Sequence, residues 1–211
     1  MSNPKITIII PTYNRENYLK RALATVPLSK KHQVIIYNDG STDKTLRVIT
    51  DWFNANYSKI HQTSMLISPI KNGGVAKAMN MGFDLAKGEY IVSLSDDDYY
   101  LTNFNQFMPY LDGKNDLVYF DLEINDGSIF HVDEKSKYEY VGAVKFMRRE
   151  FLGDTRIPDM KYREDVPFSQ ELYNKKPREV FTGIVLKHYN FPHEGSLTWQ
   201  AFEDDKKAKN G

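Results

Sequence analysis

Cysteine is missing from all 211 residues, which excludes disulfides and thiolate metal sites. Net charge is missing as well. The 28 Lys and Arg residues balance 28 Asp and Glu, whereas a chain that mainly coats nucleic acid is usually basic. No apolar run approaches the roughly 20 residues of a membrane helix. Residues 1–5 run directly into an apolar strand without the layout of a signal peptide. Neither Gly-x-Gly-x-x-Gly nor Gly-x-x-x-x-Gly-Lys-Ser/Thr follows that strand, so the dinucleotide fingerprint and the P-loop are both absent. Apolar side chains are not scarce: at 41% hydrophobic and 13% aromatic, the chain can pack a core and is not a disordered one. A soluble, cytoplasmic, single-domain protein is the expectation.

The first half alternates apolar runs with helical patterns. Ile6 to Ile10 is a β-branched run of the kind covered on both faces of a sheet. Tyr18, Leu19, Ala22, Leu23 and Val26 then recur at helical spacing, closed by Pro27. Val34 to Tyr37 reads as a second strand. A second helix carries Leu46, Ile49, Trp52 and Phe53, opened by Ser41, Thr42 and Asp43. Met65 to Ile67 is a third strand. A third helix carries Val75, Ala78, Met79, Gly82 and Leu85, with Gly88 as its glycine stop. Tyr90 to Leu94 is the fourth strand. Such alternation means βαβ units and a mainly parallel sheet. In the second half, Leu117 to Phe120 and Val180 to Leu186 read as strands. Asn125-Asp126-Gly127-Ser128 reads as a hairpin turn, and Phe146 to Leu152 and Val166 to Tyr173 as helices. Residues 203–211 read as a flexible tail.

Open α/β sheets bind ligands at the carboxyl ends of their strands. The polar loops fall there: Pro11-Thr12-Tyr13-Asn14, Asn38-Asp39-Gly40-Ser41-Thr42-Asp43, Asn72-Gly73-Gly74 and Ser95-Asp96-Asp97-Asp98. Any one of them is explained by a turn and a helix cap. Four on one sheet edge imply a shared polar ligand. Three successive aspartates are costly unless neutralised, and a hard divalent cation shared with a ligand's phosphates would do it. A solvated acidic turn is the alternative.

These residues resemble the family 2 glycosyltransferases of GT-A fold, from Ile6 to about Thr198. Residues 8–14 are similar to that family's opening strand and loop, and Asp39 to Asp43 to its base-recognition loop. Asn72-Gly73-Gly74 through Ala78, Asn80 and Gly82 resembles its donor-contact helix, and Gly88-Glu89-Tyr90 through the aspartates its central strand and metal motif. Glu164-Asp165-Val166-Pro167-Phe168 looks like its acidic pair opening a helix, and Tyr189 through His193-Glu194-Gly195-Ser196 like its late Tyr…His-x-x-Ser element. Ser95 stands where members often carry an aspartate, and Met79 where many have arginine.

The resemblance implies an α/β GT-A fold, a Rossmann-like and mostly parallel central sheet flanked by helices, with a small antiparallel and helical acceptor-side region. Residues 1–114 would form the donor-binding half, and 115–202 the acceptor-binding and catalytic-base half. It implies inverting transfer of a sugar from a nucleoside-diphosphate donor, with a UDP-sugar as the default, to an acceptor hydroxyl. A saccharide or glycan is the default acceptor, and a hydroxylated base in DNA the minority option. Asp165 would be the catalytic base. Pro11, Tyr13, Asn14, Asp39, Asn72, Gly73, Lys77 and Asp96 would bind the donor. Asp97, Asp98 and His193 would hold Mn2+ or Mg2+. A nucleotidyltransferase or a non-catalytic nucleotide- or sugar-binding module is the alternative. The basic pairs Lys30-Lys31, Arg148-Arg149, Lys175-Lys176 and Lys206-Lys207 read as solvated surface.

Overall fold

Strands β1 (Ile6–Thr12) and β2 (His32–Asn38) are buried along their length, apart from a partly exposed Pro11. Helices cover both faces of this part of the sheet, as the unbroken apolar runs require. The computed structural model describes residues 3–138, 144–160 and 162–191, with His193, Trp199 and Asp204 beyond them. The expected tail at 203–211, Asp204 excepted, and Glu194-Gly195-Ser196 of the late motif lie outside the described residues.

In chain order, α1 (Glu16–Ala24) follows β1, and α2 (Thr45–Asn56) follows β2. Then come β3 (Met65–Ile67), α3 (Val75–Leu85), β4 (Tyr90–Ser93) and the two-residue β5 (Tyr99–Tyr100). The second half supplies β6 (Leu117–Ile124), β7 (Ile129–Phe130), β8 (Lys145–Arg148), α4 (Arg149–Leu152), α5 (Asp165–Asn174) and β9 (Glu179–Tyr189). One sheet runs β3-β2-β1-β4-β8-β6-β9-β5, with β7 paired to β6. β1 is parallel to β2 and β4, and β2 to β3. Right-handed crossovers in that order put α1 and α2 on one face and α3 on the other. The packing agrees: the Trp52 indole on α2 donates to Leu23 O on α1, and Phe83 of α3 stacks on Phe168 of α5.

The sheet then curls. β8 joins β4 to β6 by antiparallel ladders, β6 runs parallel to β9, and β9 takes β5 on its far side. β5 follows the aspartate loop directly, so the loop leaves β4 and ends on the opposite wing. Phe104, Phe107, Phe120 and Phe146 fill the second half with edge-on and tilted ring contacts.

Two local expectations are corrected. Phe146 to Leu152 is not one helix: Lys145–Arg148 is strand, and only Arg149–Leu152 turns helical. A short apolar run carries no decisive period; here Ile91 of β4 and Leu117 of β6 both pair with Met147. Gly88 does not stop α3, whose last turn ends at Leu85. It lies against β1, where its N–H donates to Thr7 Oγ1 at 2.8 Å and a β-carbon would collide with the Thr7 backbone. The hairpin expected at Asn125–Ser128 is the β6–β7 turn.

Candidate active site

The loops after β1 and β2 are zipped together by side chains, among them Asn14, which was expected to meet a donor. Asn14 has a φ of 52° and its carboxamide oxygen accepts from Thr42 N at 2.8 Å, while Ser41 Oγ accepts from Asn14 N. Arg15 N donates to Thr45 Oγ1, and Lys44 N to Glu16 Oε2. Two strand ends therefore present one rigid edge. Tyr13 stands out from it, 44% exposed, beside the half-buried Pro11.

Asp39, expected to bind the donor, is only 4% exposed. Its two oxygens accept from the N–H groups of Gly73 (2.8 Å) and Gly74 (2.7 Å). The loop before α3 is thus hung on the loop after β2 by charge-assisted hydrogen bonds. Gly40 makes this approach possible. Its φ is +74°, and a β-carbon would come within 2.8 Å of Asn72 N. Beyond the hinge, the Lys77 stem fills the place a β-carbon at Gly73 would take. Asn72 and Lys77 are exposed, and Gly73 is half-buried. Lys77 also lines a cleft of about 350 Å3 together with Gly73, Asn80, Asp84, Ile157 and Asp159. Met79, where many members carry arginine, is part of the core.

The three aspartates after β4 diverge. Asp96 is pressed into the sheet edge. Burial pushes its carboxyl up to about 7, with the charge of Asp97 adding to the rise and Arg15 opposing it. Asp97 Oδ2 lies 2.8 Å from His193 Nε2, and both side chains keep a little solvent exposure. Asp98, expected as a metal ligand, has its carboxylate fully enclosed. Lys187 Nζ holds one oxygen at 3.0 Å and Asn190 N the other at 3.0 Å. Burial pushes this carboxyl upward, against the pull of Lys187. Among the described residues no group of three or more His, Asp or Glu side chains converges. The Asp97–His193 contact brings together one carboxylate and one imidazole, side chains that could hold a divalent cation.

Helix α1 supports that pair. Arg21 donates to the Asp97 carbonyl at 2.8 Å and stacks 4.6 Å over Tyr99, whose ring lies flat on His188. Tyr18, one turn earlier, stacks on His193 at 5.7 Å.

Asp165 opens α5, and Glu164 is its cap residue. The helix buries Phe168, Ser169 and Leu172, so its inward face is the one three, four and seven residues on from Asp165. Burial pushes the Glu164 carboxyl upward, and the charge of Asp165 adds to that. The segment before α5 is tied to α3 through Asn80. Its carboxamide donates to Ile157 O and accepts from Ile157 N. Arg156 pairs with Asp84 on the same helix.

Residues 7–170 match the family model described as glycosyl transferase family 2. The chain belongs to glycosyl transferase family 2. An uncharacterized glycosyltransferase of Mycoplasma pneumoniae is 33% identical over 183 residues, covering 83% of this chain and 54% of the relative. The chain thus spans about half the length of that relative. S. aureus TarS, solved in complex with UDP-GlcNAc, superposes with a TM-score of 0.77 at 20% identity, over 92% of this chain and 60% of that one. A mannosyltransferase from Pyrobaculum calidifontis, solved with GDP-Man and Mn2+, gives 0.72 at 19% identity, over 95% and 61%. The two structures establish the fold, a mixed α/β GT-A architecture.

In this family 2 glycosyltransferase the residues missed from sequence are the supports. Tyr18 and Arg21 carried a signal, since they sit three apart on the face of α1 next to the core positions. Lys187 carried none: a lysine inside an apolar strand reads as a solvent-facing residue until its buried partner is known. Among the described residues, no helix is long and apolar enough to cross a membrane.

Proposed function

We propose that the chain transfers a sugar, with inversion, from a nucleoside-diphosphate sugar, a UDP-sugar by default, to a hydroxyl of a saccharide or glycan. The observation that carries the reading is the Asp97–His193 contact. A strand-end carboxylate and an imidazole 96 positions later meet at 2.8 Å on the sheet edge where such ligands bind. Asp97 and His193 would hold Mn2+ or Mg2+, and a cation there would supply stabilisation for the charge of the departing diphosphate.

The chain's own groups do the rest. Asp39 fixes the Gly73–Gly74 loop and, through it, the start of α3, whose free N–H groups and Lys77 suit a diphosphate. Pro11, Tyr13 and Asn14 form the wall for the base, with Asp39 beneath it and Asp96 beside the ribose. Asp165 takes the proton of the attacking hydroxyl as the bond to the sugar forms. Residues 115–202 receive the acceptor.

A donor screen tests this: release of nucleoside diphosphate and transfer to oligosaccharides, with Mn2+ or Mg2+ present. Turnover of UDP-sugars is expected. Turnover of GDP-sugars alone would overturn the base assignment, and nucleotide transfer in place of sugar transfer would overturn the reaction class.

A further inference from the structure

After the aspartate loop the chain pairs with β9, and the rung of that ladder nearest the loop is Tyr99 against His188. One residue earlier, Asp98 continues the pairing with its side chain. One carboxylate oxygen accepts from Asn190 N at 3.0 Å, and the other from Lys187 Nζ at 3.0 Å. Neither charged side chain has any solvent exposure. The loop is thus joined to the strand's exit beyond the point where the backbone ladder stops.

Stability gives little reason for a wholly buried ion pair. Taking two charges out of water costs about as much as their attraction returns, and well-packed apolar side chains often do as well. What such a pair can supply is a fixed register. Register matters here because of the neighbours on either side. Asp97 directly precedes Asp98, and His193 follows Asn190 by three residues. Asp97 Oδ2 and His193 Nε2 meet at 2.8 Å. The contacts Asp97–His193 and Asp98–Asn190 therefore close a small ring, in which three residues of chain reach at most about 11 Å. On its other side the end of β9 is held by β6, through Tyr189 against Ile124 and through Asn125 N on Phe191 O at 3.5 Å. Those bonds tie the strand to β6, not to the aspartate loop.

We infer that Asp98, through its oxygen on Asn190 N, is a positioning residue for the cation site: it holds His193 beside Asp97, where the two can share a divalent cation. Lys187, on the other oxygen, fixes the orientation of the carboxylate. This rests on the reading of Asp97 and His193 as cation ligands.

The test reads Mn2+ binding in the presence of UDP by electron paramagnetic resonance, which measures free Mn2+ and needs no turnover. Two double variants differ at the oxygen in question. Asp98→Asn with Lys187→Met removes both ions and keeps an acceptor for Asn190 N. Asp98→Leu with Lys187→Met keeps the branched shape and removes the acceptor as well. The first should bind Mn2+ as wild type does. The second should bind it about 10–100-fold more weakly, the usual cost of losing a group that orients a metal ligand. Wild-type affinity in a folded Asp98→Leu double variant overturns the inference, and so does equal weakening in both double variants. A second measurement uses wild type and depends on no variant folding. If the tether favours the cation, the cation favours the tether by the same factor. Amide exchange at Asn190 should therefore slow when Mg2+ is added to the UDP-bound protein, and by more than at amides of matching rate in α2. No greater slowing at Asn190 overturns the inference. Wild-type protein that binds no Mn2+ with UDP removes the cation reading itself, and the role of Asp98 toward it. Mn2+ binding that is lost in Asp97→Ala but intact in the Asp98→Leu double variant rejects the positioning role alone.

Discussion

Lys187 and Asp98 form an ion pair of 3.0 Å from which solvent is wholly excluded, with neither side chain exposed. They come from opposite wings of the curled sheet, β9 and the loop leaving β4. The second oxygen of Asp98 accepts from Asn190 N, so the strand's exit is fastened to the aspartate loop three residues before His193. One residue from Asp98 the same loop presents Asp97 to that histidine.

Breaking this pair from one side leaves a buried charge. Lys187→Met should cost about 3–5 kcal/mol in urea denaturation. Adding Asp98→Asn should recover most of it, because the second ion then leaves the interior too. Equal destabilisation of the single and double variants would mean that packing, not charge, holds the wing.

Asp97→Ala should abolish divalent-cation-dependent UDP binding in calorimetry and leave the thermal midpoint within a few degrees. His193→Ala should weaken it by about tenfold, as expected for removal of one ligand of an incompletely protein-held cation. Full sugar transfer in excess chelator would remove the metal from the mechanism.

Asp39→Asn replaces one acceptor with a donor facing a glycine N–H. The misfit should cost about 1–3 kcal/mol at the Gly73–Gly74 loop and raise the donor KM. Unchanged donor affinity by calorimetry would show that the loop does not shape the donor site.

Asp165→Asn should lower turnover by about 10²–10⁴-fold with little change in donor affinity, and Glu164→Gln should do less. Adjacent residues point about 100° apart on a helix, so the two carboxylates cannot serve the site equally. The reverse ranking in two folded variants would move the base to Glu164.

Acid stability should depend on Asp116. Burial pushes its carboxyl up, but hydrogen bonds from Arg178 and Arg148 outweigh this and hold it at about 2. A folded value below the ordinary 3.8 means stabilisation that is complete above that pH and disappears as pH falls through about 2. Some 2 kcal/mol should follow that course. Asp116→Asn should flatten the acid arm of a stability–pH curve, and an unchanged arm would assign acid unfolding to other carboxylates.

Residue pattern alone determined the strand–helix order from β1 to β4. The β-branched runs at Ile6–Ile10 and Val34–Tyr37, alternating with helical periods, point to buried parallel strands, and the polar loops fall at their carboxyl ends. These are local signals, each legible within about a dozen residues. Only the tertiary structure decided the rest. Lys145–Arg148 is strand because β4 and β6 lie on either side of it, and β5 exists because β9 returns to meet it. The roles of the aspartates were divided in the same way: Asp98 turned inward because Lys187 arrives from 89 residues away, and Asp97 remained for His193. Asp39 became the peg for Gly73 and Gly74. Which carboxylate is buried and paired is set by the charge brought against it, and a chain's own order does not state which distant charge that will be.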